Sequence, residues 1–402
     1  MLGFKSGALR AKVNHFYNNS KINQNSTPLM ILTIRWPRRF KAVQWQTADL
    51  LKRLTCIATA GSLTLVMCGA SMAAANIKIG VAMRTQTQPR WQFDVAAMEK
   101  KAKELGATLL IQWANDDATK QASQVDNLLS QGVKALIICS VDDKAAGALV
   151  KNAKVSNVPV IAYDIGIPNA DVAYYLTRDN RKVGELQVNG ALEFAPPDAQ
   201  HPPNYALIKG DADNNVARDL ANVYANVLKP LVDAGKVKIV ADQWHAAWSG
   251  EAALKTAENA LSAQNDNIQA FVTSNDSMAI GVAQAVKARN LTGKAYISGL
   301  DADVANDRLI VDGVITMSVW TKIDEMGARA IEAAVDLAQG KTPKQDGTLN
   351  NGMKDVPAAF IALEPVTAKN MCDWITHVAP PGWVTVKQVY VDVAPPPDCA
   401  GK

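Results

Sequence analysis

The sequence predicts an α/β protein built as two doubly wound parallel-sheet lobes joined by several hinge crossings. Three observations point there. From residue 76 onward, short apolar runs alternate with amphipathic stretches of helical period. Those apolar runs are continuous rather than alternating, as strands covered on both faces require. The theme then restarts near residue 205 of a 402-residue chain, which is longer than a single core usually serves.

The first lobe reads as strands at Ile77–Met83, Thr108–Gln112, Ala135–Cys139 and Val158–Ala162, with helices near Gln92–Leu105, Lys120–Gln131 and Lys144–Ser156. The second reads as strands near Tyr205–Lys209, Val237–Ala241, Ala270–Thr273 and Ala295–Ser298, with helices near Asn215–Val227, Gly250–Leu261 and Ser277–Arg289. Ile315–Trp320 is a further strand leading into a strongly amphipathic helix at Lys322–Gly340. These segments give a first lobe of residues 76–180 with 321–342 and a second of 181–320 with 343–365. Hinges are expected near Arg178–Val183, Val319–Lys322 and Gly340–Pro343, and residues 366–402 form a C-terminal extension.

The formal charge of +4 hides a division along the chain. Residues 1–75 carry ten Lys and Arg against Asp49 alone, a net +9, so the remainder is −5. The folded part therefore lacks a basic field for nucleic acid or anionic lipid. Lys52-Arg53, the apolar run Leu54–Ala70 and the small residues of Ser71–Ala75 read as a secretory signal with its core at 52–75. Cleavage near Ala73–Ala75 would place the mature chain in the periplasm. The apolar run is shorter and more polar than the ~20 residues of a spanning helix. Of the cysteines beyond the leader, Cys139 ends an apolar strand and reads as a core thiol. Cys372 and Cys399 flank a Pro-rich tail and are expected to pair as a disulfide in an oxidising compartment.

Open parallel sheets bind ligands outside the carboxyl ends of their strands. The residues there are Arg84 to Trp91, Asp164, Asp213 to Asn215, Trp244 to Trp248, Ser274 to Asp276, and Leu300 to Asp303. Arg, Asn, Asp and Trp in this mixture suit a polyhydroxylated ligand: carboxylates and amides pair with hydroxyls, and indoles cover C–H faces. Plainer roles stand beside these. Asn215 could only cap its helix, Trp113 and Trp244 suit a core, and Asp276 and Asp303 suit caps or exposed helix starts.

Catalysis finds little support. The four His are scattered, no Cys-x-x-Cys or His-x-x-x-His spacing occurs, and Arg84–Pro89 fills the place of a Gly-rich phosphate loop. No catalytic residue, metal or cofactor is expected, although Asp164 with Asp301 could be drawn as a glycosidase carboxylate pair. A sugar-responsive DNA-binding regulator would need an N-terminal helix-turn-helix where the leader stands.

Taken in order, Arg90-Trp91-Gln92, Ala162-Tyr163-Asp164, Lys182 to Gln187, Asp213-Asn214-Asn215, Asp242-Gln243-Trp244, Ser274-Asn275-Asp276, Asp301-Ala302-Asp303 and Thr348 to Pro357 carry a resemblance. From about Ile77 to about Pro365 the chain resembles the periplasmic pentose-binding proteins of the ribose/galactose-binding type, nearest to their xylose-binding members. The resemblance implies a type I periplasmic binding fold that captures a monosaccharide between its lobes. Its partners would be an ABC permease in the inner membrane, or a chemoreceptor, with the protein acting as a monomer. It implies that Arg90 donates to ring hydroxyls, that Trp91 and Trp248 sandwich the ring, and that Asp164, Asn215, Asn275 and Asp301 pair with hydroxyls. Three positions depart from the xylose-binding pattern: Ile165 replaces an Arg, Thr321 stands in the place of a ligand-facing Lys, and Leu300 replaces a Gln. The two lost cations imply a ligand other than D-xylose, or weaker binding of it.

Overall fold

The computed structural model describes residues 77–397 and 399, so the export signal expected at 52–75 lies outside the described residues. The first lobe begins with β1 (Lys78–Met83), α1 (Arg90–Leu105), β2 (Thr108–Trp113), α2 (Ala118–Ser130), β3 (Ala135–Ile138), α3 (Ala146–Val155), β4 (Val160–Tyr163) and β5 (Tyr174–Arg178). The second contains α4 (Asn180–Phe194), β6 (Asn204–Lys209), α5 (Asn215–Asp233), β7 (Lys238–Trp244), α6 (Gly250–Ala263), β8 (Ala270–Thr273), α7 (Asp276–Ala288), β9 (Tyr296–Ile297), α8 (Val304–Val311) and β10 (Met317–Thr321). The chain then runs through α9 (Ile323–Ala338), β11 (Gly347–Asn350), β12 (Asp355–Ile361) and β13 (Leu363–Thr367).

The first sheet has seven strands in the order β11-β12-β5-β4-β3-β1-β2, parallel except for the antiparallel β11/β12 pair. Its continuous apolar strands feed two cores. Ile79, Val81 and Met83 pack on one side, while Ala82, Leu136, Ile138 and Ala162 pack on the other. The second sheet, β7-β6-β8-β9, is parallel throughout. β10 runs beside the exit of β9, with Thr316 N donating to Ile297 O at 2.9 Å and Asp301 N to Val319 O at 2.9 Å. β13 pairs antiparallel with β10.

Caps fix where several strands hand over to helices. Asp179 accepts from Arg181 N and Lys182 N to open α4, Asn214 accepts from Val216 N for α5, Ser249 from Ala252 N for α6 and Asn275 from Met278 N for α7. α1 and α9 cross tightly because position 327 is glycine: a Cβ there would lie 2.6 Å from the Asp94 carbonyl oxygen.

Two expectations about the lobes need correction. Segment 343–361, assigned from sequence to the second lobe, joins the first sheet, where β12 pairs parallel with β5 from Ala358↔Tyr175 to Ile361↔Arg178. Burial of Val356, Ala358, Ala359 and Ile361 drives that pairing. The third crossing therefore lies at residues 361–363, where Lys322 N donates to Ala362 O at 3.4 Å. Gly340, expected as a hinge, instead ends α9 in the left-handed region with φ 72°.

The C-terminal extension packs against the rest of the chain. The Trp374 ring meets the Trp320 ring of β10 at 5.7 Å, and the Trp383 ring lies 4.7 Å from both Trp320 and Phe93 of α1, inclined to each by 60° or more. Contrary to expectation, no disulfide joins Cys372 to Cys399. Cys372 is only half-buried within the short helix Met371–Asp373, whereas Cys399 is buried in a turn closed by its N–H on Pro396 O. Cys139 is a buried thiol whose pKa burial pushes far above the usual range.

Candidate functional site

The carboxyl ends of both sheets face one small cavity. From the first lobe come Arg84, Gln88, Arg90 and Trp91 after β1, Asp164 and Ile165 after β4, and Arg178 at the end of β5. The second lobe adds Asn214 and Val216 after β6, Trp248 after β7, Asn275 after β8, and Leu300 and Asp301 after β9.

Arg90 is the centre of its electrostatics. Its guanidinium is fully buried and donates through Nη1 to Asp301 Oδ1 at 3.0 Å, through Nη2 to Asp164 Oδ1 at 3.1 Å and through Nε to Asp94 Oδ2 at 3.4 Å. It also lies 4.2 Å from the ring centroid of Trp91, close enough for a cation–π contact. Burial alone would lower its pKa, but Asp164, Asp94 and Asp301 together hold it well above the ordinary value. Arg178 donates through Nη1 to the same Asp164 oxygen. Burial works to raise the Asp164 carboxyl, and Arg178 and Arg90 nevertheless keep it below the ordinary value. Asp301 is shifted up, chiefly by burial, against Arg90 and Arg178. Asp94 is raised to about 6 by burial, although it pairs with Arg90 and accepts from Tyr163 Oη.

The backbone is strained where these groups enter. Asp164, Trp248 and Asp301 have φ of 62°, 57° and 109°, unusual for residues with side chains. Such conformations cost of order 1–3 kcal/mol each and persist mainly at functional positions. Trp248 lies over Gly210, where a Cβ would sit 2.5 Å from Trp248 Cζ3, so only glycine leaves room for the indole. Across the cavity, Trp91 Nε1 donates to Gln88 Oε1 at 2.9 Å, fixing the first indole.

The structure brings together Arg90, Trp91, Asp164, Trp248, Asn275 and Asp301 of the residues singled out from sequence. It does not bring Asn215 or Thr321. Asn214, the extended cap residue, lines the cavity, while Asn215 begins the helix and turns to the other flank. There its Oδ1 accepts from Gly166 N across the lobes at 2.8 Å. Thr321 is buried at the end of β10 and does not line the cavity, and its hydroxyl has no partner among the described residues. Arg84, Gln88 and Asn214 lie in the strand-end stretches read from sequence without being singled out there, and Arg178 is read only as part of a hinge. Arg178 could have been found from the apolar run Tyr174–Leu176 before it, which marks a strand end. Asp276 is buried rather than exposed, accepting from Ser318 Oγ and Asp303 N at 2.7 Å each. Trp244 is neither core nor site: it is surface-exposed, with the Lys209 ammonium 4.4 Å from its ring centroid.

The lobes meet closely around the site. Arg90–Asp301 and Asn215–Gly166 cross between them, and Arg218 pairs with Asp143, whose N–H donates to Asp213 O at 3.2 Å. The cavity itself measures about 20 Å³, so its charged groups satisfy one another. A ligand with hydroxyls must part the lobes and take over these hydrogen bonds. Among the described residues, no group of three or more His, Cys, Asp and Glu is placed to hold a metal ion, and no helix is long and apolar enough to cross a membrane.

A family model described as a periplasmic binding protein domain matches residues 79–342. The chain is 40% identical over 312 residues to the D-xylose-binding periplasmic protein of Escherichia coli K12, covering 78% of this chain and 93% of that protein. It is 36% identical over 315 residues to the protein of the same name from Haemophilus influenzae, covering 78% and 92%. A solved ABC transporter solute-binding protein from Clostridium phytofermentans, with bound β-D-glucose, is 30% identical with a TM-score of 0.71, covering 78% of this chain and 99% of that one. A carbohydrate transporter solute-binding protein from Chloroflexus aurantiacus, in complex with D-glucose, is 28% identical with a TM-score of 0.70, covering 77% and 97%.

Proposed function

The chain belongs to the periplasmic binding protein family, and from that premise we propose that it captures one monosaccharide between its lobes and delivers it to an ABC importer. One observation carries the reading: Arg90, Asp164, Asp301, Trp91 and Trp248 converge on one cavity from both lobes. In the proposed complex the two indoles cover the faces of the ring, while Arg90 and Asp301 exchange their mutual bonds for sugar hydroxyls. Because contacts come from both lobes, the ligand favours the closed state, which the permease would recognise. A chemoreceptor could read the same closed surface.

The reading is of binding without turnover. Asp164 and Asp301 both bond to Arg90, which suits ligand recognition better than the split acid and base roles of a glycosidase. In this reading the protein works in the periplasm as a monomer, after a signal peptide is cleaved near Ala73–Ala75.

Arg178 offsets the donor deficit read from Ile165. Its guanidinium enters the same cavity from the end of β5, so a hydroxyl beside Ile165 keeps a cationic neighbour. D-xylose therefore belongs in the ligand class with related pentoses and hexoses, contacted through a relocated cation. A thermal-shift panel of pentoses, hexoses, deoxysugars and polyols on the purified protein tests the proposal. A rise in Tm with one or more monosaccharides is expected, and no response across the panel would refute it.

A further inference from the structure

Asp276 is a fully buried acid outside the cavity lining, and its bonds surround a residue that belongs to it. It opens α7 directly after Asn275, which caps that helix and lines the cavity. Its backbone N–H donates to Leu300 O at 3.0 Å, and its Oδ2 accepts from Asp303 N at 2.7 Å. Leu300 and Asp303 stand on either side of Asp301 and Ala302. One residue therefore grips both ends of the turn that carries Asp301.

The second carboxyl oxygen fixes this turn to β10. Asp276 Oδ1 accepts from Ser318 Oγ at 2.7 Å, and that hydroxyl in turn accepts from Ala302 N at 3.0 Å. Asp301 N itself donates to Val319 O at 2.9 Å. Glycine at 299 leaves room for the carboxylate, because a Cβ there would lie 2.0 Å from Asp276 Oδ1. Gln187 of α4 secures the start of the turn, its Nε2 donating to Gly299 O at 2.8 Å and its Oε1 accepting from Tyr224 Oη at 2.5 Å. Asp276, Ser318 and Gln187 are all fully buried.

These bonds matter because the turn is not one the chain adopts unaided. Asp301 and Ala302 have φ of 109° and 50°, where residues with side chains pay a strain cost. A relaxed turn would carry the Asp301 carboxylate away from Arg90, which it meets at 3.0 Å. Two donors, Asp303 N–H and Ser318 O–H, need two acceptors held in one plane, which a carboxylate supplies.

We propose, resting on the sugar-binding reading above, that Asp276 is a positioning residue for ligand recognition. It holds the Asp301 turn in its strained form and ties it to Asn275, so the two second-lobe groups face the ligand in a fixed relation.

Two substitutions and two readings test this. Asp276→Ala removes both acceptors, whereas Asp276→Asn keeps the one for Asp303 N and can donate its amide to Ser318 Oγ. Amide hydrogen exchange without sugar reads the turn, and calorimetry with D-xylose and D-glucose reads the site. Asp301 N–H is the informative amide, since neither substitution removes its partner Val319 O. In folded Asp276→Ala it should exchange about tenfold or more faster relative to amides of the β6/β8 pair, and the sugar Kd should rise about as much. A merely structural loss would speed all these amides alike. Asp276→Asn should restore most of both readings. Parent-like exchange at Asp301, or parent-like affinity, in folded Asp276→Ala overturns the proposal, as does an Asn variant as impaired as the Ala variant. If Asp276→Ala does not fold, Ser318→Ala, which removes a partner of Asp276 and the acceptor of Ala302 N, decides by the same readings. A parent protein that responds to no sugar refutes the sugar-binding reading, while exchange at Asp301 still decides whether Asp276 holds the turn.

Discussion

Arg90 and Asp301, 211 positions apart in sequence, meet through Nη1 and Oδ1 at 3.0 Å and join the two lobes inside the cavity. The same guanidinium also holds Asp164, which it shares with Arg178, and Asp94, so one cation serves three buried carboxylates. Removing one member of a buried ion pair typically costs about 3–5 kcal/mol, because the partner charge stays buried. Arg90→Ala is therefore expected to lower stability by about that much and to abolish sugar binding. Chemical denaturation and calorimetry read the two effects, and wild-type sugar affinity in the folded variant would remove Arg90 from the site.

Stability should fall as pH rises from about 4 to about 7. Burial raises Asp94 to about 6 and Asp303 to about 7 in the folded state, from an ordinary value of 3.8. In that window the folded protein holds more protons than the unfolded chain, so raising the pH favours unfolding. A hundredfold change in proton affinity, as at Asp94, is on the order of 3 kcal/mol. Asp171, held down to about 2 by Lys154 and Lys354, works in the opposite sense but only below about pH 4. Urea denaturation at pH 4.5 and pH 7.5 should show the loss, and Asp303→Asn should shrink it. A variant with the same pH dependence as the parent would exonerate Asp303.

Gly210→Ala is expected to weaken sugar binding more than its small change in volume suggests. The added Cβ would meet Trp248 Cζ3 at 2.5 Å, forcing the indole toward the cavity or the backbone apart. Overpacking of this kind costs about 1–3 kcal/mol. Affinity equal to the parent, with unchanged stability, would mean that Trp248 has more freedom than its packing indicates.

Most of the site was legible because its residues stand where strands end, a position that apolar runs mark clearly. Arg90, Asp164, Asn275 and Asp301 each follow such a run within a few residues, or open the helix after it. Two kinds of error remained. Asn215 is assigned by the resemblance, and neither periodicity nor composition tells which of two adjacent amides caps the helix; the extended backbone of Asn214 makes it the cap and brings it to the cavity. Arg178 falls outside the strands read from sequence although the run Tyr174–Leu176 before it favours one, and the far partner of that strand, β12, lies about 180 positions later. Pairing at that distance is set by tertiary burial, which local pattern does not carry. The same blindness put β11 and β12 in the wrong lobe.

Loss of the Arg218–Asp143 pair should loosen closure without touching the ligand. Asp143 is fully buried at the end of the first sheet, and Arg218 reaches it from α5 of the other lobe. Arg218→Ala is expected to raise the sugar Kd several-fold, since binding must then draw on a smaller closed population. Small-angle scattering of the unliganded variant should show a larger radius of gyration than the parent. An unchanged Kd and radius would show that this pair contributes nothing to closure.

Trp383 ties the C-terminal extension to the ligand-binding loops. Its indole Nε1 donates to Ala302 O at 2.8 Å, one residue beyond Asp301, while its ring packs against Trp320 of β10 and Phe93 of α1. Phe93 lies two residues beyond Trp91, and Trp320 precedes the crossing at Thr321, so one side chain touches a binding loop, a binding helix and a hinge strand. Trp383→Ala should cost about 3–5 kcal/mol of stability, as expected for truncating a buried aromatic. Trp383→Phe keeps most of the ring packing but leaves the Ala302 carbonyl without its indole donor, a loss of about 1–3 kcal/mol if that group stays buried. If the extension only fills space, the Phe variant should bind sugar as the parent does once its lower stability is allowed for. If Trp383 holds the 300–303 loop in its strained form, the Phe variant should bind several-fold more weakly at temperatures far below its unfolding transition. Calorimetry at low temperature, with folding monitored in parallel, separates the two, and equal affinity in the Phe variant would reduce the extension to packing alone.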